Sequence, residues 1–164
     1  MSAYRTSPVS TERMPPGIPY IVSNEAAERF SFYGMKAALA VFLVYYLGVL
    51  GGSNLSEAEA TSSVSWFNTA VYLTPLLGAI IADAFFGKYR TIVTLSIVYC
   101  LGHLCLALMG VGGVVQFWFL GGLGLISLGA GGIKPCVSAH VGDQFGAKNQ
   151  HLITKIFNIF YFSI

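Results

Sequence analysis

Between residues 91 and 133 the chain has 43 consecutive positions without an Asp, Glu, Lys or Arg. A helix rises about 1.5 Å per residue and needs roughly 20 apolar residues to cross the hydrocarbon of a bilayer, so this stretch alone is long enough to cross twice. The rest of the chain agrees with it. Of 164 residues, 55% are hydrophobic and only 10% charged, and the mean hydropathy is +0.68. Soluble domains carry about 25% charged residues, and disordered chains need the opposite balance of charge and apolarity. Both classes are excluded. A formal net charge of +2 is too small for a nucleic-acid footprint, so no nucleic-acid partner is expected. The chain reads as an all-α integral membrane protein whose first partner is the lipid bilayer.

Four apolar segments follow one another, at about 18–50, 62–86, 91–110 and 114–139, and a fifth starts near residue 152 and stops at 164 in mid-run. They are too long and too evenly apolar for barrel strands, which alternate over about ten residues. Residues 1–17 lack the short apolar run of a signal peptide and read as a flexible cytosolic tail. Ser56, with Glu59 three residues on, marks a capping box at the start of the second helix. A membrane protein seldom ends inside a hydrophobic span, so the expectation is an N-terminal piece of a larger protein. A complete, non-transport small membrane protein is the alternative.

Cations in short loops set orientation. Arg5 and Arg13 lie in the tail, Lys88 and Arg90 follow the second segment, and Lys148 precedes the fifth. The connection between the first two segments has Glu57 and Glu59 but no cation, and the turn near Gly112 and Gly113 is uncharged. The N-terminus, the 84–90 loop and the loop before the fifth segment are therefore expected in the cytoplasm, with 51–60 outside.

The informative residues are charges within the spans. The first segment is uninterruptedly apolar only from Ala37 to Leu50, 14 residues, and completing a span of about 20 residues draws in Lys36, Arg29 and Glu28, with Glu25 near the edge. At about 100° per residue, Glu25, Glu28, Arg29, Phe32 and Lys36 fall within an arc of roughly 100°, with Tyr33 at its border. Each charge, alone and facing lipid, would cost about 2.5–3.5 kcal/mol. A snorkelling interfacial stripe suits Glu25 but not Lys36, 11 residues further along. An inward-facing polar cluster suits both, and carboxylates in such a setting suit a proton relay. Cys100, Cys105 and Cys136 lack metal-site spacing and read as small buried hydrophobes. No nucleophile–base pair, HExxH or phosphate loop is present, so no enzyme, metal or cofactor is expected.

The segment NEAAERFSFYGMKAAL, residues 24–39, resembles the ExxERFxYY motif on the first helix of the proton-dependent oligopeptide transporters, a branch of the major facilitator superfamily. Glu25, Glu28, Arg29, Phe30 and Tyr33 match it. Phe32 departs from it, replacing the first tyrosine, and Lys36 stands where the family usually carries a cation. YLTPLLGAIIADAFFGKYRTIVTLSIVYCLGH, residues 72–103, resembles the family signature between helices two and three. Within it Gly78, Asp83, Gly87, Lys88 and Arg90 follow the superfamily's conformational loop pattern. GAGGIKPCVSAHVGDQF, residues 129–145, and FNIFYFSI, residues 157–164, resemble the fourth-helix motif and the opening of the fifth.

The resemblance implies the N-terminal helical bundle of a major facilitator fold, with four full transmembrane helices and the start of a fifth. It implies a multi-pass protein of the cell membrane that carries di- and tripeptides with protons by alternating access, with its C-terminal half missing here. Protons serve as the coupling ion. On helix geometry and charge, Glu25, Glu28 and Arg29 are expected to carry proton coupling, and Arg29, Tyr33, Lys36 and Lys134 to offer a peptide cations and a hydroxyl; Tyr72 joins the substrate-binding residues by its resemblance to a pocket tyrosine. Lys134 would face the central cavity and couple to the first-helix glutamates. The same fold could carry nitrate, an amino acid or a drug instead. Two readings stay open from the residues alone: Lys134 as a snorkelling lysine at a helix end, and Asp83 as a solvated interfacial charge. At a helix C-terminus, Asp83 is expected to need a cationic or N-terminal partner. Ser65 occupies the position of a coupling histidine in animal relatives, and His103 reads as a packed residue. Gly121, Gly122, Gly124, Gly129, Gly131 and Gly132 are expected to let the fourth helix pack closely on a neighbour.

Overall fold

The computed structural model describes residues 7–112 and 114–162. Arg5 of the tail, Gly113 of the uncharged turn, and Ser163 and Ile164 of the last motif lie outside the described residues. Helix α1 (Ile18–Val41) continues through a π turn (Phe42–Tyr46) and a 3-10 turn (Leu47–Leu50). Helix α2 (Glu57–Ile81) continues through a second π turn (Ala82–Phe86), and α3 (Lys88–Ala107), α4 (Val115–Gly142) and α5 (Ile153–Phe162) follow. Four of these stretches are long and apolar enough to cross a membrane: 18–50, 57–86, 88–107 and 115–142. The all-helical membrane architecture expected from the sequence is what the described residues adopt.

Local chemistry sets the ends. Helix α2 starts ahead of its apolar run because Ser56 caps it. The Glu59 amide donates to Ser56 Oγ at 3.3 Å, and the Ser56 amide donates to Glu59 Oε2 at 2.9 Å. That reciprocal pair satisfies two otherwise open donors of the first turn. The expected 84–90 loop does not exist as a loop. The π turn carries the chain to Phe86, and Gly87 alone separates it from α3, so Lys88 and Arg90 lie in the first turn of that helix. Gly87 has φ of 75°, a conformation that costs a residue with a Cβ roughly 1 kcal/mol or more. Its amide donates to the Ala82 carbonyl, and its own carbonyl accepts from Thr91.

The chain divides into two compact units, one of residues up to Phe30 and from Val137 onward, the other Ser31–Cys136. In the second unit α4 packs on α2 and α3 through backbone-close approaches. A methyl group at Gly78 of α2 would fall onto the carbonyl of Gly132 of α4, and one at Gly131 would meet the Thr74 hydroxyl. Gly122 and Gly129 make similarly tight approaches to α3 at Leu106 and Tyr99. Gly121 and Gly124 do not, since nothing lies within 4 Å of a methyl at either. Only the glycines on the faces toward α2 and α3 serve the packing expected of all six. The buried core of this unit joins Phe32, Leu39, Leu43 and Leu47 to Phe67, Val71, Tyr99, Phe119, Leu123 and Ile126.

In the first unit the segment around Arg13 and Pro15 packs against the protein. Pro15 is buried, and the fully buried Asn149 donates through Nδ2 to the Arg13 carbonyl at 3.4 Å. Asn149 Oδ1 also accepts from the Gly146 amide at 2.8 Å, closing the turn before α5. One buried side chain thus ties two backbone segments together and meets its own hydrogen-bonding demand.

Candidate functional site

Helix α1 carries a buried ion cluster in the first unit. Arg29 Nε lies 3.0 Å from Glu25 Oε1 and 2.5 Å from Glu28 Oε2. All three residues are buried, at 3%, 2% and 7% exposure respectively. The four-residue spacing of Glu25 and Arg29 stacks them on one helix face. One guanidinium serves two carboxylates.

In the second unit α4 places Lys134, half-buried, between aromatic rings from two other helices. Its Nζ lies 5.8 Å from the centroid of Phe32 on α1 and 5.4 Å from that of Tyr72 on α2. Both distances fall within the roughly 6 Å reach of a cation–π attraction. Helix α4 continues through Pro135 to Gly142, which puts Lys134 within a helix and not at its end. The rings differ in freedom: Phe32 is 3% exposed and Tyr72 is 76% exposed. Phe32 stacks on Phe67 at 5.9 Å and meets Tyr33 edge-on at 5.5 Å.

The remaining sequence candidates separate. Tyr33 is half-exposed and meets the edge of Phe32, and Lys36 is half-buried one turn further along α1. Asp83 is exposed on the π turn. Ser65 spends its hydroxyl on the Thr61 carbonyl of its own helix, at 2.8 Å. His103 packs edge-on against Tyr99 at 4.7 Å, as a packed residue should.

Three contributors escaped the sequence reading. Phe67 backs Phe32, and Ser31 shares a 2.6 Å hydrogen bond with the Tyr99 hydroxyl. Thr74 lies next to Pro75, and a proline inside a helix leaves the carbonyl four residues back without its donor. That carbonyl is Val71, 3.2 Å from Thr74 Oγ1, which also lies 2.8 Å from the Ser127 carbonyl of α4. The Thr-Pro pair was the available signal.

The chain is similar to known proteins in sequence and in fold. Residues 89–164 match the model of the POT family. The chain is 43% identical over 183 aligned positions to "Solute carrier family 15 member 2" of Mus musculus, covering 96% of this chain and 24% of that protein. It is 41% identical over 165 positions to "Peptide transporter family 1" of Caenorhabditis elegans, covering 98% of this chain and 19% of the relative. Among solved structures, the in meso crystal structure of the POT family transporter PepTSo superimposes with a TM-score of 0.82 at 46% identity. That match covers 93% of this chain and 30% of the other. The chain spans about a quarter of the length of the relatives it matches.

Proposed function

Because this chain belongs to the POT family, we propose that the protein carrying it is a proton-coupled symporter of di- and tripeptides. The family is one of multi-pass membrane transporters, and the apolar helices here agree with that. The observation that carries the proposal is the shared guanidinium of Arg29, held by Glu25 and Glu28 in a buried site. Protonating either carboxylate loosens its hold on the cation. The freed guanidinium can then take the carboxylate of a peptide, which links proton binding to substrate binding through one exchangeable ion pair. Lys134 and Lys36 offer further cations for the peptide C-terminus, and Tyr33 and Tyr72 offer hydroxyls. The proposal also has Lys134 respond to the protonation of the first-helix glutamates. The turn of Asp83, Gly87, Lys88 and Arg90 is assigned to conformational change between access states. The N-terminus lies in the cytoplasm in this reading, as the Lys/Arg asymmetry of the connections requires.

Reconstituted full-length protein tests it. Wild type should concentrate a dipeptide against its gradient when an inward proton gradient is imposed. Glu25→Gln with Glu28→Gln mimics the protonated pair, so peptide exchange at equal concentrations should survive in part while uphill uptake is lost. Uphill uptake by the double variant would make these glutamates structural. Failure of wild type to move any small peptide, with uptake of nitrate or a free amino acid instead, would leave the fold and change the cargo.

A further inference from the structure

We propose that Phe32 is a positioning residue for the substrate-binding cation: its buried ring holds the Lys134 ammonium where a peptide carboxylate must meet it. The inference rests on the peptide-transport reading above, but it concerns a residue to which that reading gives no role.

A lysine side chain is a compact charge on a flexible four-carbon stem, and ordering it costs rotamer entropy. Two rings are among the groups that Lys134 touches, and they differ in burial. Tyr72 is largely exposed. Phe32 is locked in the core, stacked on Phe67 and flanked by the edge of Tyr33. The face it turns toward Lys134 Nζ, 5.8 Å away, therefore keeps one position. A cation held over such a face has its location set before the ligand arrives, and preorganisation of this kind lowers the cost of binding.

The absence of a hydroxyl at position 32 fits the same role. The bare ring offers its π face alone. Phe32 has no group that could bind a peptide carboxylate itself. It acts through Lys134, and its loss should be felt only by ligands that use Lys134.

The experiment measures binding to purified full-length protein by calorimetry, with a dipeptide and the same dipeptide amidated at its C-terminus. Phe32→Leu should weaken the free acid about fivefold, the size of a partly desolvated cation–π contact, and leave the amide unchanged. Phe32→Trp should bind the acid as wild type does. In a Lys134→Gln background Phe32→Leu should cost nothing more. Should Phe32→Leu fail to fold, tri-fluorinated phenylalanine at position 32 keeps the shape and removes the negative face, and it should reproduce the acid-selective loss. Equal losses for acid and amide, a further loss in the Lys134→Gln background, or wild-type affinity with the fluorinated ring would each overturn the inference. Absence of dipeptide binding by wild type would instead sink the transport reading.

Discussion

The hydroxyl of Thr74 on α2 lies 2.8 Å from the carbonyl oxygen of Ser127 on α4, and one turn further along, Gly78 meets Gly132 backbone to backbone. Lys134 sits two residues beyond that crossing. The cation's place thus depends on how closely two helices approach each other.

Enlarging that crossing should therefore be costly. Gly78→Ala drives a methyl into the Gly132 carbonyl, which has no side-chain freedom with which to yield. Overpacking of this kind costs about 1–3 kcal/mol. Thermal unfolding in detergent, followed by size-exclusion chromatography, should show a clear drop for Gly78→Ala and none for Gly121→Ala, whose methyl meets open space. Equal behaviour of the two variants would remove the seam from the account of stability.

Arg29 should be harder to remove than to neutralise together with its partners. Arg29→Met takes away the guanidinium that both Glu25 and Glu28 hold. Breaking a buried ion pair from one side costs about 3–5 kcal/mol. Folded yield should fall steeply for the single variant and recover in the triple variant that adds Glu25→Gln and Glu28→Gln. A triple variant no better than the single one would show that Arg29 acts by packing and not by charge.

Orientation is open to direct measurement. In a background lacking the native cysteines, Glu57→Cys should react with an impermeant maleimide added outside cells, and Lys88→Cys should react only after the membrane is opened. The reverse pattern would invert the topology and, with it, the side from which the Arg29 cluster is reached.

Asn149 should control access to the N-terminal residues. With Asn149→Ala the Arg13 carbonyl loses its donor and the turn at Gly146 loses its brace. Trypsin should then cut after Arg13 several-fold faster, while cleavage elsewhere stays unchanged. Unaltered kinetics at Arg13 would mean that Pro15, buried beside it in sequence, holds the segment alone.

Much of the fold was legible because the membrane demands it. A charge-free run from 91 to 133 has few places to go except through lipid as helix, and Ser56 with Glu59 announced its cap in four letters. The Arg29 cluster was equally legible, since helical spacing alone brings Glu25, Glu28 and Arg29 to one face. What composition concealed depends on which way a face turns. Six glycines in α4 look alike in sequence, but only the neighbours in space distinguish Gly132 from Gly121. Lys134 read as a cavity charge or a snorkelling one with little to choose between them, because its rings come from residues 32 and 72, far away along the chain. The 84–90 region looked like a loop because charge and glycine mark loops. A π turn absorbs the bend instead, and the cations fall inside a helix.

Gly87 leaves almost no rope between the end of the second helical stretch and the start of α3. Consecutive Cα atoms are about 3.8 Å apart, so a one-residue joint cannot let its two sides drift. Whatever pushes the tip of the π turn at Phe86 drags Lys88 along by nearly the same amount, and the two helices swing as a hinged pair sharing one pin. Any independent tilt between them must be absorbed in the two torsions of a single residue, which is where a stiffening substitution would lock the lever.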